Sequence, residues 1–240
     1  MQLNKYIAHA GVCSRRKAVE LIRNGYVTVN YTVVTHPAYR VSDNDYITCG
    51  NTVVQQEEPV YVLFNKPKGC VTTRSDECGR RTVLDYIHRE PPLPRIYPVG
   101  RLDYNTTGVL LLTNDGDLAY RLSHPTYAIA KQYQVTLNKP LTYEDEERIR
   151  SGVYLDGAYV AIDTLRISPH KRTLVYVTLH SGQNRVIHRI FMKFGYRVKK
   201  LDRPWYAGVN KKALPRGAWR FLTRKEIKHV WQLVQPEKRK

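Results

Sequence analysis

Pro98-Val99-Gly100-Arg101-Leu102-Asp103 sets one carboxylate just ahead of Gly108 to Thr113, a near-continuous apolar run of the kind found in a strand covered on both faces. Such a strand holds the side chain rigidly at a sheet edge while the loop leaves it reachable, as catalysis requires. By spacing alone the same residues also fit a turn or an ion pair. A second group lies on a helix expected from Asn184 to Phe194, where Ile187, Ile190, Phe191 and Phe194 fall on one apolar face. Arg185, His188 and Arg189, at i, i+3 and i+4, then share the opposite face. They suit a phosphate clamp, a cation paired with an active-site carboxylate, or a solvated stripe. Tyr133 lies in a strand between Lys131 and Val135, where core packing is the ordinary role. There is no G-x-x-x-x-G-K-[ST] loop, G-x-G-x-x-G turn, G-x-S-x-G elbow or H-E-x-x-H helix, so no nucleotide cofactor is implied and any chemistry falls to side chains.

The elements that must position these residues belong to a chain of 240 residues with 39 Lys plus Arg against 21 Asp plus Glu, a formal charge of +18. A field of that sign favours a polyanion, and nucleic acid is the first partner to consider. From Lys199 onward there are 13 basic residues against 3 acidic ones, so the C-terminal end is read as a basic tail. Residues 1–24 carry Lys5, Arg15, Arg16, Lys17 and Arg23 against Glu20 alone, a basic helical segment. Cys13, Cys49, Cys70 and Cys78 form no C-x-x-C pair and have no histidine at ligand spacing, so reduced structural thiols and no metal are expected. No apolar stretch reaches a membrane span and the N-terminus opens on polar residues; a cytoplasmic protein with no membrane partner is expected.

Leu3 to Ala10 reads as a short helix. Ser14 then offers an N-cap for a second one through Arg23, stopped by Asn24-Gly25, and Tyr26 to Val29 and Tyr46 to Cys49 read as strands. Gln55 to Pro59 is the best linker, dividing the chain into 1–58 and 59–240. Beyond it strands are expected at Val60 to Asn65, Gly108 to Thr113, Gln132 to Leu137, Tyr159 to Ile167 and Thr173 to His180. Short helices are expected at Asp117 to Ser123 and after Thr142. Strands outnumber crossover helices, which predicts an α+β fold on a mixed, largely antiparallel sheet with flanking helices.

Gly100-Arg101-Leu102-Asp103-Tyr104-Asn105-Thr106-Thr107-Gly108, continued by Val109 to Gly116, resembles the catalytic motif of RNA pseudouridine synthases of the RsuA/RluB branch. Leu63 to Gly69, Lys131 to Val135, Gly182 to Arg185 and Leu214 to Gly217 are similar to that family's other segments, and Leu3 to Asn30 looks like its alpha-L RNA-binding module. The resemblance implies isomerisation of uridine within ribosomal RNA, without cofactor: the base is detached from its sugar, turned and rejoined through carbon. It implies that Asp103 attacks the bound nucleotide and that Tyr133 stacks on the uracil. Arg189 is taken as the cation beside Asp103. The family's usual Asn-Arg-Gln-Ile-Arg-Arg is Asn184-Arg185-Val186-Ile187-His188-Arg189 here, which leaves open whether His188, Arg189 or Arg185 holds the carboxylate. Arg15, Arg16, Lys17, Lys66, Lys68, Arg101, Arg185, His188, Lys211, Lys212 and Arg216 are the expected RNA contacts. The segment Leu214 to Trp219 looks more like the large-subunit, RluB-like members. A small-subunit RNA enzyme and a non-catalytic ribosome-assembly protein are the alternatives. A monomer acting on ribosomal RNA or an assembling subunit is expected.

Overall fold

The computed structural model describes residues 1–42 and 44–235. The chain divides into two compact units. The first comprises residues 1–60 with two short returns, 91–96 and 114–116, so it takes in more than the single division at 58/59 expected from the linker. In it α1 (Leu3–His9) and α2 (Arg15–Arg23) pack with β1 (Val27–Val29), β2 (Thr32–Val33), β3 (Ile47–Cys49) and β4 (Thr52–Val53), antiparallel in the order β2-β1-β3-β4. The Ser14 hydroxyl accepts from the Lys17 amide at 3.2 Å and so caps α2. Ala18 and Ile22, one turn apart, are buried against Leu3, Ile7, Val27 and Ile47, which turns Arg15, Arg16 and Lys17 to solvent. The short edge strands β2 and β4 carry no burial pattern and were not foreseen.

The second unit is built on β5 (Tyr61–Lys66), β6 (Tyr97–Pro98), β7 (Thr107–Thr113), β8 (Lys131–Leu137), β11 (Thr164–Ser168), β12 (Lys171–Leu179), β13 (Val198–Tyr206), β14 (Val209–Asn210) and β15 (Trp219–Phe221). Its main path runs β11-β12-β8-β13-β7-β5-β15, antiparallel throughout except for the parallel pair β13 and β7. The helices are α3 (Gly116–Ser123), α4 (Tyr143–Arg150), α5 (Val186–Lys193) and α6 (Arg224–Leu233), and β9 (Val153–Leu155) pairs with β10 (Ala158–Val160) as a separate hairpin. The fold is the α+β architecture expected. One apolar cluster joins Val135, Val177, Ile187, Ile190 and Phe191; another joins Leu63, Leu111, Leu118, Leu122 and Val230. Each such side chain contributes roughly 1.5–3 kcal/mol on full burial.

Three sequence expectations are corrected here. The strand expected from Tyr159 to Ile167 is two elements, because Asp156 and Gly157, both at positive φ, turn β10 back onto β9 while β11 pairs with β12. The late helix starts at Val186, since Arg185 adopts a left-handed conformation (φ 47°). The supposed basic tail is largely structure: β13 is an inner strand between β8 and β7, and α6 packs Val230 into the core. The last five residues, 236–240, which carry three of the tail's basic residues, lie outside the described residues. No described helix is long and apolar enough to cross a membrane.

Candidate active site

The loop between β6 and β7 carries Asp103, and its backbone is moored from beneath. Lys66, at the end of β5, is fully buried; its ammonium donates to the carbonyls of Asp103 (3.0 Å), Thr106 (3.0 Å), Tyr104 (3.3 Å) and Pro67 (3.1 Å). Burial holds that ammonium below its ordinary value, with Asp103 pulling the other way. The Thr72 hydroxyl accepts from the Leu102 amide and donates to the Leu102 carbonyl at 2.7 Å, and the Thr106 amide closes the turn on the Asp103 carbonyl at 3.0 Å. Gly108 then lets β7 approach β13: a Cβ there would lie 2.3 Å from the Arg203 carbonyl oxygen, and its φ of 114° is one that side-chain-bearing residues rarely adopt. The loop is thus fixed at both ends by groups that expose only its side chains.

Asp103 opens into a pocket graded in burial from mouth to floor. At the mouth are Arg101, exposed, and Arg185, whose side chain is 60% exposed and whose Nε stands 4.0 Å from Asp103 Oδ2. Arg185 is the left-handed residue capping α5, a strained backbone that costs of order 1–3 kcal/mol and aims the side chain back at Asp103. His188 is half-buried beside it. Burial first, then the Arg185 charge, lower its pKa against the opposing pull of Asp103, so it is mostly neutral near pH 7. On the floor lie Lys131, Tyr133 (9% exposed), Arg203 (3% exposed) and Tyr206 (1% exposed). Burial, and then Arg203, bring Lys131 down to about 8, and burial pushes the Tyr206 hydroxyl up to about 12.

A single carboxylate facing an aromatic floor and surrounded by cations suits covalent chemistry on a flat ring inside a polyanion. Residues 60–193 match the RNA pseudouridylate synthase family, and residues 1–47 match the S4 domain. The chain is 41% identical over 237 residues to ribosomal large subunit pseudouridine synthase B of Bacillus subtilis (strain 168), covering 97% of this chain and 96% of that protein. The chain belongs to the RNA pseudouridylate synthase family. It is also 32% identical to the dual-specificity RNA pseudouridine synthase RluF of Escherichia coli (strain K12), over 98% of this chain and 80% of that one. A crystal structure of pseudouridylate synthase superposes with a TM-score of 0.68 at 28% identity, covering 96% of this chain and 99% of that one.

Within this synthase not every expected site residue reaches the pocket. Arg189 does not: its guanidinium pairs with Asp156 at 2.5 Å and donates to Gln183 at 3.4 Å, because a left-handed Arg185 removes the shared helical face on which the expectation rested. Arg185 is the cation beside Asp103 instead. Lys66, expected on RNA, has no surface to offer; it holds the loop that carries Asp103. Lys211 is bound at 2.6 Å to Asp202, which also accepts from the Thr107 hydroxyl at 2.5 Å, so its charge is internally matched. Lys68, Arg101, Lys212 and Arg216 are exposed, as are Arg15 and Arg16; Lys17 is exposed and pairs with Glu20. Sequence reasoning missed Lys131, Arg203 and Tyr206. The first was readable, since strand alternation puts Lys131 on the same face as Tyr133. Arg203 carried no signal, standing next to Pro204 in a charged stretch that reads as irregular.

Proposed function

We propose that this RNA pseudouridine synthase isomerises a uridine of large-subunit ribosomal RNA, in the cytoplasm, with a site supplied by one chain. Asp103 forms the bond to the nucleotide, Arg185 orients its carboxylate, and Tyr133 stacks on the extruded base. The observation that carries the proposal is Asp103 at the mouth of a pocket floored by Tyr133, in a chain that follows a large-subunit enzyme over 97% of its length. The S4 match at residues 1–47 and the exposed Arg15 and Arg16 support RNA capture by the first unit. Taking a base out of its stack costs a few kcal/mol, and phosphate contacts by such cations offset that cost. The test is to map pseudouridines in ribosomal RNA from cells with and without the gene. Loss of one large-subunit position, restored by the purified protein, is expected. Loss confined to small-subunit RNA would move the substrate, and no change in either RNA would remove the ribosomal assignment.

A further inference from the structure

Two cations line the pocket floor without a carboxylate partner among the described residues, Arg203 buried and Lys131 half-buried. Arg203 donates through Nε (3.0 Å) and Nη2 (2.8 Å) to the single carbonyl of Val109, and Lys131 donates to the carbonyls of Ile129 (3.0 Å) and His180 (3.1 Å). Both lie over the Tyr206 ring, at 4.5 and 5.9 Å from its centroid. Holding two like charges around one ring, one buried and one half-buried, is unfavourable unless an anion completes the arrangement, and the pocket's own acid, Asp103, is at the mouth. The missing negative charge therefore belongs to the reacting ligand. Lys131 and Tyr133 are two residues apart on β8, on one face and about 7 Å apart along the strand, so a ring lying on Tyr133 presents an edge to the lysine. Two of the three ammonium hydrogens have carbonyl partners, which leaves one for that edge.

Resting on the assignment of pseudouridine chemistry, we propose that Lys131 is a further catalytic residue, donating to a carbonyl oxygen of the uracil and, with Arg203 behind it, stabilising the base as an anion while it is detached. The C1′–N1 bond breaks as the Asp103 carboxylate bonds to C1′, and the electron pair passes to the ring, where it spreads over N1 and the two carbonyl oxygens. After the ring turns, C5 bonds to C1′ as the Asp103 oxygen leaves; the C5 proton is lost and N1 gains one. No co-reactant is needed. The negative charge exists only between the two bonds, so a fixed cation near the carbonyl edge acts on the barrier more than on binding. The titratable and charged groups that share the pocket with Lys131 are Arg203 and Tyr206 of β13, Tyr133 of its own strand, Arg101 and Asp103 of the loop, and Arg185 and His188 at α5. Of these, Arg203 is the main charge lowering it.

The test uses the full chain and the variants Lys131→Met and Lys131→Arg. Single-turnover rates at saturating RNA should fall by about 100- to 1,000-fold in Lys131→Met, as for removal of one oxyanion donor, with RNA affinity within a few-fold. The wild-type rate should decline above about pH 8 as Lys131 loses its proton, and Lys131→Arg should carry the plateau to higher pH. A wild-type rate in Lys131→Met, or an alkaline limb unchanged in Lys131→Arg, would overturn the proposal. So would weaker affinity with a normal rate at saturation, which would make the lysine a phosphate contact. If Lys131→Met does not fold, the Lys131→Arg profile decides. A second measurement needs no RNA: at pH 7 the anion barbiturate should bind the wild type more tightly than neutral uracil does, and Lys131→Met or Lys131→Arg should show, respectively, loss and retention of that preference. Equal binding of the two bases by the wild type would overturn the proposal, whereas failure of the ribosomal assignment alone would leave this preference intact.

Discussion

At the mouth of the pocket Arg185 leaves 60% of its side chain to solvent and reaches Asp103 only to 4.0 Å, while on the floor Arg203 is 3% exposed and bonded twice to one carbonyl. A guanidinium in water is screened within about 8 Å at physiological ionic strength and can move, so the mouth suits capture of phosphate and alignment of Asp103. A buried cation fixed by backbone needs no reorganisation when charge develops beside it, so the floor suits the base. The same residue types thus serve different steps according to how they are held.

The largest expected effect lies on the boundary between these regions. Asp103→Asn keeps the shape of the side chain and removes its competence as a nucleophile, so pseudouridine formation should drop to background while RNA affinity stays within a few-fold. Single-turnover assay of the purified variant measures both, and retained product formation would take Asp103 out of the chemistry.

Next in size is the contrast between two arginines one helical turn apart. Arg185→Ala should lower the single-turnover rate by about 100- to 1,000-fold, because the carboxylate loses the cation that aligns it. Arg189→Ala should change it only a few-fold, since that guanidinium is engaged by Asp156 on the β9–β10 hairpin. The reverse ranking would return the catalytic ion pair to Arg189.

A third effect is on stability. Lys66→Met leaves the carbonyls of Asp103, Tyr104 and Thr106 without their buried donor, and should destabilise the fold by about 2–4 kcal/mol in denaturant titration, with a matching loss of turnover. The pH dependence has a definite sign. Burial holds Lys66 below its ordinary 10.5, so in the window beneath that value the unfolded chain binds more protons and this group makes stability rise with pH. The variant should lose that rise. A stability unchanged at all pH values would mean that the loop is held by Thr72 and the chain turn alone.

Much of this was legible because residue pattern and environment agree. The apolar run into β7 is buried at all seven positions, and Ser14 caps α2 as its type suggests. Thr223 and Glu226 form a full capping box for α6, a start signal present in the sequence and overlooked there because the surrounding charges dominated. What was not legible depended on contacts between distant residues. β13 carries Lys199, Lys200, Asp202, Arg203 and Pro204, the composition of an exposed connection, yet it is an inner strand. Its register slips between Asp202 and Trp205, and that irregularity is where a proline fits an inner strand. The left-handed turn at Arg185 was equally hidden: helical spacing groups Arg185, His188 and Arg189 on one face, whereas Arg185 and His188 line the pocket and Arg189 pairs with Asp156.

The smallest expected effect tests whether exposure, not residue type, decides which cations meet phosphate. Each lost contact to duplex phosphate lowers the slope of log affinity against log salt by about 0.9. Arg15 and Arg16 are exposed, and replacing both by Ala should flatten the slope by about two units. For the pair Lys211 and Lys212, sequence alone predicts one to two units. The structure lowers that figure: Lys211 is only 20% exposed and is bound to Asp202, so its charge releases no counterion on RNA binding. Lys212→Ala should therefore flatten the slope by about one unit at most, and adding Lys211→Ala should leave the slope where it was. Turnover at saturating RNA should be unchanged in Lys212→Ala, because a uniform phosphate contact acts alike on ground state and transition state. Lys211→Ala should instead disturb turnover slightly, since Asp202 also receives the hydroxyl of Thr107 at the exit of the Asp103 loop. A slope that falls further on loss of Lys211 would mean that RNA draws this lysine away from Asp202, placing it with the mobile cations of the mouth instead of the fixed ones.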